Sequence, residues 1–155
     1  MKKVELFVGL KVADNTALTA FHALQRLGFM NLVSLNRFQY YTFLIDGDEQ
    51  AFKKDIVNVD VLVNSNKNTS SFGLGKTAQA DNPRSVLVNE SGDSCSGILK
   101  TLQGGLGMKG IQKMERGILW VLGFSEGTKQ PDKDAEAIAK CLLYNPHYQE
   151  AVIQN

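Results

Sequence analysis

Residues 32–45 read LVSLNRFQYYTFLI. Aromatic and β-branched residues dominate this stretch, and such residues favour β-strands. The pattern predicts two strands, 32–38 and 39–45, joined by a tight turn. Two further strands are predicted on the same grounds at 111–116 and 118–124. We therefore expect the core to be built on two pairs of strands.

The second strand of each predicted pair is apolar on both of its faces. In a βαββαβ unit the helices cover only one face of the antiparallel sheet, so such a strand needs a second cover. The simplest cover is another sheet packed ~10 Å away, within one chain or across a dimer. The residues predicted to pack between two sheets are Tyr40, Tyr41, Phe43, Trp120 and Leu122.

The segments around the strand pairs complete a repeated order of elements. In the first half the predicted elements are a strand at 3–11, a helix from Asp14–Thr16 to Gly28, the first strand pair, a helix at 50–58 and a strand at 59–63. In the second half they are a strand at 84–90, a helix capped by Asp93 or Ser94 and ending at Gly107, the second strand pair, a helix at 132–144 behind Pro131 and an edge strand at 151–153. Each half therefore has the order βαββαβ.

Residues 65–83 separate the halves and are rich in Ser, Thr, Gly and Asn, a composition typical of a linker. The sequence thus predicts an α+β protein of two tandem βαββαβ, ferredoxin-like units, residues 1–64 and 84–155, whose antiparallel sheets pack together. An offset of 79 positions aligns the halves with few identities. The repeated element order favours duplication over one irregular domain. The aligned pairs include Gly28 and Gly107, Arg37 and Arg116, and Tyr41 and Trp120.

Composition and charge exclude several classes of function. The chain has 155 residues, 43% of them hydrophobic, and a formal net charge of +1. So small a net charge provides no extended positive surface for binding nucleic acid or an anionic membrane. The longest apolar run, Ile118–Phe124, is far shorter than the ~20 residues of a membrane-spanning helix. Because the N-terminus lacks a signal-peptide core, we expect a cytoplasmic protein that keeps Cys95 and Cys141 reduced and buried.

The chain offers few candidate catalytic residues. His22 and His147 have no further ligand at metal-binding spacing, and no nucleophile and base can be paired by spacing. The acidic turn at 46–49 lacks the ligand order of a calcium loop. Residues 73–77, GLGKT, end like a phosphate-binding loop, but Ser70 stands where that loop needs glycine, and a flexible linker is the simpler interpretation. We expect no metal, no cofactor and no catalysis by the chain alone.

Several stretches resemble PurS, the small subunit of phosphoribosylformylglycinamidine synthase. KVELFVGLK at 3–11 resembles the family's first strand, HALQRLGF at 22–29 the end of its first helix, and NRF at 36–38 its strand turn. AKCLLYNPHYQE at 139–150 resembles the family's last helix, which ends in LeuLeu-x-AsnPro before the final strand. The chain departs from the family at Gln39, where the family's turn has lysine. The resemblance covers the start of the first predicted unit and the end of the second.

This resemblance implies a function. PurS is not catalytic: it joins the ATP-dependent synthetase subunit (PurL-type) to the glutaminase subunit (PurQ-type) in the step of purine biosynthesis that converts formylglycinamide ribonucleotide to its amidine. The resemblance implies a non-catalytic assembly subunit with these two partners, with a homodimer as a further option.

Candidate partner-binding residues are Arg37 and Arg116, which occupy equivalent predicted strand turns. An arginine there can form a bidentate pair with a partner carboxylate. The alternative is an ordinary solvated arginine at the sheet rim. Two other functions stay open, namely a small-ligand-binding regulatory module of duplicated ferredoxin-like fold and an enzyme whose site the sequence does not reveal.

Overall fold

The computed structural model describes residues 1–73, 81–90, 95–147 and 149–154. Within these ranges the chain is an α+β protein with six strands and four α-helices. The strands are β1 (Lys2–Leu10), β2 (Leu32–Ile45), β3 (Asn68–Ser71), β4 (Arg84–Glu90), β5 (Ile111–Phe124) and β6 (Gln149–Gln154). The helices are α1 (Asn15–Arg26), α2 (Glu49–Ile56), α3 (Ser96–Lys100) and α4 (Pro131–Ile138). Helices α3 and α4 continue into π-helical turns at Thr101–Gly105 and Ala139–Leu143.

The described strands form one antiparallel sheet in the order β3-β1-β2-β5-β4-β6. The prediction of two sheets packed face to face within one chain is therefore wrong, and packing across a dimer stays a prediction. The tight turns predicted within 32–45 and 111–124 do not form, because β2 and β5 are each a single strand of 14 residues. Residues 36–39 contain no glycine or proline to reverse the chain, and they pair with residues 118–121 of β5. Backbone pairing with β5 keeps this segment of β2 extended.

Strand β3 lies inside the segment predicted as a linker. Its sequence, Asn-Thr-Ser-Ser, carries no strand signal, but an edge strand is held by backbone hydrogen bonds, here to β1. The side-chain amide of Asn68 also donates to the carbonyl of Gly9 at 3.2 Å. The strand predicted at 59–63 is absent from this part of the described chain, which forms turns with Val59 and Leu62 buried in the core.

The helices cover one face of the sheet. The strand register places Tyr41, Phe43, Trp120 and Leu122 on this face. Two buried clusters lie there, one beneath α2 and α3 and the other beneath α1 and α4. These four side chains are buried, as predicted, but they pack against helices and not against a second sheet.

Each buried cluster combines residues from both halves of the sequence. Phe43 shares one cluster with Leu102, and Leu24 shares the other with Trp120 and Ile138. The helices of one half therefore cover strands of the other half as well as their own. The division into residues 1–64 and 84–155 stays a prediction.

The opposite face of the sheet has an apolar cluster of its own. Phe7, Phe38, Leu119 and Val121 are buried on this face, and Tyr40 is half-buried beside them. The rings of Phe7 and Tyr40 lie 5.2 Å apart between centroids. This cluster explains why the stretch 32–45 is apolar on both faces. Tyr40 lies here, on the face opposite Tyr41.

Predictions that rest on local signals are confirmed. Asp14 caps α1, because its Oδ1 accepts from the backbone N–H groups of Thr16 and Ala17 at 3.0 and 3.2 Å. Gly28 follows the helix with φ of +102°, a conformation that glycine adopts without strain. Strand β4 has the predicted bounds, and Pro131 begins α4.

Other predictions have mixed outcomes. Cys95 is buried but Cys141 is exposed, and within the described part of the chain neither forms a disulfide. No helix in the described part of the chain has the length and apolar character needed to cross a membrane. The predicted helix cap at Asp93 or Ser94, and residues 74–77 of the phosphate-loop-like motif, lie outside the described residues.

Candidate functional site

The two candidate arginines lie in the middle of the sheet. The tight turns predicted around them do not exist, so Arg37 lies within β2 and Arg116 within β5, and neither is at a rim. Strand pairing sets Arg37 opposite Trp120 and Arg116 opposite Tyr41. The structure thus brings together four residues that the sequence had aligned as two equivalent pairs.

Arg37 is engaged inside the molecule. Its Nε and Nη2 donate to the two carboxylate oxygens of Asp14 at 3.0 and 3.4 Å. Its Cζ lies 6.0 Å from the centroid of the Trp120 ring. The side chains of Arg37 and Asp14 are only 23% and 16% exposed. Because Asp14 also caps α1, this ion pair fastens the start of α1 to the sheet.

Arg116 is the more accessible of the two arginines, since it is exposed on β5. Burial raises the pKa of the Tyr41 hydroxyl, and the positive charge of Arg116 opposes this by lowering it. The arginine therefore acts on the electrostatics of its cross-strand neighbour. A role in partner binding stays a prediction for both Arg37 and Arg116.

An apolar groove of about 510 Å³ lies between α1 and the π-helical turn after α4. Trp120 lies in this groove, with Ala20 and Ala23 of α1 on one side and Leu142 and Leu143 on the other. Its described lining has no ionisable side chain, so this groove offers apolar contacts and no acid–base chemistry.

The face opposite the helices carries further ionisable groups, among them Lys3, Glu5, Lys113 and Glu115. Two cavities of about 300 and 340 Å³ share Lys3, Tyr40 and Leu87 in their linings. Burial, the charge of Glu5, a hydrogen bond to Glu5 and the charge of Glu115 raise the pKa of Tyr40 to about 12. Tyr40 therefore stays protonated and able to donate at neutral pH.

The other candidate residues do not assemble into a catalytic centre. His22 and His147 are both exposed. In the acidic turn, Asp48 caps α2 by accepting from the backbone N–H of Gln50 at 3.0 Å, in agreement with turn chemistry. Among the described residues, no three His, Cys, Asp or Glu side chains are grouped closely enough to hold a metal ion.

Comparison with known proteins assigns no family to this chain. No protein-family model matches it, and no curated protein matches its sequence. The arguments for a function therefore come from the residues and their geometry.

Proposed function

We propose that the chain is a non-catalytic assembly subunit of phosphoribosylformylglycinamidine synthase. In this proposal it is a covalent tandem of two PurS-like units, and it bridges the synthetase and glutaminase subunits in purine biosynthesis. The proposal begins from the resemblance of residues 3–11, 22–29 and 139–150 to PurS. In the structure these stretches fall in β1, in the end of α1 and in the segment from α4 to β6.

The symmetry of the sheet is the observation that carries the proposal. The two halves have the same order of strands and helices, and the strand order β3-β1-β2 of the first half is followed by its reverse, β5-β4-β6. Gln39 pairs with Ile118, 79 positions later, which is the offset that aligns the two halves of the sequence. The pairs Arg37–Trp120 and Tyr41–Arg116 lie symmetrically on either side of this central pair.

Such symmetry is the arrangement expected when two similar units join edge to edge across a two-fold axis. Joining the units in one chain removes the concentration dependence of their association. A rigid sheet with two related halves can then present two distinct surfaces, one to each partner. These features support a tandem assembly subunit.

A small-ligand-binding regulatory module is the second candidate. The observation that favours it is the pair of cavities beside Tyr40, which lie across the strands where the two halves meet. Cavities of about 300 Å³ are at the lower end of the range that small-molecule sites occupy. This candidate predicts saturable binding by the isolated chain.

The proposal is tested by tagging the chain in its native host and identifying by mass spectrometry what co-purifies with it. We expect the synthetase and glutaminase subunits to be recovered together at comparable molar amounts. The control is the same tagged chain with Leu24 replaced by aspartate, which places a charge in a fully buried position of the core. Recovery of neither subunit with the folded wild-type chain would contradict the proposal.

A further inference from the structure

The groove beside Trp120 is an opening in the packing between the helices and the sheet. Its volume of about 510 Å³ lies within the range of ~300 to 1,000 Å³ that small-molecule sites occupy. Trp120 and Leu143 line it and are buried, whereas Leu142 and the polar residues that α1 contributes are exposed. The groove therefore has a buried apolar floor and an open, partly polar rim.

The two halves of the molecule differ at this place. Helices α1 and α3 align at an offset of 78 positions, which matches Leu24 with Leu102, and both side chains are fully buried. The π-helical turn after α3 accommodates one further residue, so Gly28 and Gly107 align at an offset of 79. In this alignment α1 has Ala20 where α3 has Ile98.

The exchange of isoleucine for alanine accounts for the opening. Ile98 packs against the buried cluster that contains Tyr41, the residue that corresponds to Trp120. Ala20 packs against the cluster that contains Trp120 but lacks most of the isoleucine side chain. Protein interiors are close-packed, and voids larger than a water molecule are few. An opening in one half, where the other half has a large side chain, indicates space for a ligand.

The lining of the groove selects the chemistry of the ligand. Its described residues include no ionisable side chain, so a charged group would lose hydration without gaining a partner of opposite charge. The polar groups of the lining are one amide and two hydroxyls, from Asn15, Thr16 and Thr19 of α1. Leu142 and Leu143 provide an aliphatic wall. This lining suits an uncharged molecule with an apolar body and one polar substituent.

The extent of the groove favours a small molecule over a protein partner. Eight described residues line it, whereas a stable protein interface has ~20 to 30 residues on each side. The indole ring of Trp120 favours an aromatic ligand, because pairs of aromatic rings attract each other beyond the effect of buried area. Arg37 lies 6.0 Å from the centre of this ring, but its charge is paired with Asp14 and so does not select an anion.

We infer that the groove binds a small, uncharged aromatic molecule with one polar substituent. The ring of the ligand lies against Trp120, between Ala20 and Leu142. Its polar substituent lies toward the hydroxyl groups of Thr16 and Thr19. This inference does not depend on the proposed assembly function.

The ligand class is tested by isothermal titration calorimetry on the full chain. The probe is p-cresol, which is uncharged at neutral pH. The comparison probes are 4-methylbenzoate and 4-methylbenzylamine, which keep the methyl-substituted ring but carry a negative or a positive charge. We expect saturable binding of p-cresol and at least about tenfold weaker binding of both charged probes. Absence of saturable p-cresol binding, or equal binding of all three probes, overturns the inference.

The position of the site is tested by filling the groove. Ala20→Ile introduces the residue that α3 has at the corresponding position, and we expect it to weaken p-cresol binding by at least about tenfold. The matched control is Ala137→Ile, the same change at an exposed position of α4, which leaves the affinity unchanged.

Circular dichroism verifies that each variant is folded. If Ala20→Ile does not fold, the deciding variant is Ala23→Leu, which fills the groove from the next turn of α1, with the same expected loss. Wild-type affinity in the folded filling variant, or an equal loss in Ala137→Ile, overturns the placement.

Discussion

Replacing Asp14 with asparagine isolates the ion pair that holds helix α1 to the sheet. Asparagine caps a helix about as well as aspartate, so the bonds to the N–H groups of Thr16 and Ala17 are retained. What is lost is the charge that Arg37 contacts at 3.0 Å. Hydrogen bonds between charged groups contribute ~1.5 to 3 kcal/mol, and fully exposed pairs only ~0 to 1 kcal/mol.

The partial burial of this pair sets the expected magnitude. With 16% and 23% of the two side chains exposed, we expect Asp14→Asn to lower the free energy of unfolding by about 1 to 2 kcal/mol. Asp14→Ala also removes the helix cap, which contributes ~1 kcal/mol, so its loss is about 2 to 3 kcal/mol. Arg37→Met keeps an apolar chain over Trp120 without the charge.

The assay is urea unfolding followed by circular dichroism and by the fluorescence of Trp120, the one tryptophan of the sequence. A double-mutant cycle of Asp14→Asn with Arg37→Met measures the coupling between the two side chains. We expect a coupling free energy of about 1 kcal/mol. Additive effects, or an Asp14→Asn variant as stable as the wild type, would refute the assignment of Arg37 to the interior of the molecule.

Three further predictions follow from the same structure. Gly117→Ala lowers the free energy of unfolding by about 1 to 3 kcal/mol, because an added Cβ would lie 2.7 Å from the backbone carbonyl oxygen of Val88, which cannot move aside as a side chain can, whereas Gly104→Ala, with no atom within 4 Å, does not destabilise. The free energy of unfolding falls as pH rises from 10 to 12, because the unfolded chain ionises Tyr40 while the folded chain keeps it protonated. In Tyr40→Phe this fall is smaller by about 1 kcal/mol, after allowance for solvent screening, and urea unfolding at each pH measures the difference. The purified chain alone hydrolyses neither glutamine nor ATP, and turnover above a buffer blank that a single substitution abolishes would contradict this.

The elements could be predicted from the sequence because their signals are local. The Asp14 cap, Gly28 after α1 and the strand at 84–90 each depend on a few neighbouring residues. The sheet depends on partners far apart in the chain. The sequence of residues 32–45 shows that both faces of this strand are apolar and must be packed. It does not show that helices pack on one face, or that Phe7 and residues of neighbouring strands pack beside its apolar side chains on the other face.

The candidate site could likewise be predicted only where its signals are local in the sequence. Sequence alignment of the halves selected Arg37 and Trp120, which do meet, but the Asp14–Arg37 pair joins residues 23 positions apart and depends on how α1 returns to the sheet. The grouping of Lys3 and Glu5 of β1 with Lys113 and Glu115 of β5 on one sheet face depends on the register of three strands. A signal was present, because the pattern Lys-x-Glu occurs at both 3–5 and 113–115.

The central claim, that this chain joins two other subunits, is tested most directly by sedimentation velocity of purified synthetase and glutaminase subunits from the native host, with and without the chain. The account predicts that the two subunits sediment separately on their own and that adding the chain produces one faster species containing all three proteins. Unchanged sedimentation of both subunits after addition of the folded chain would contradict the claim.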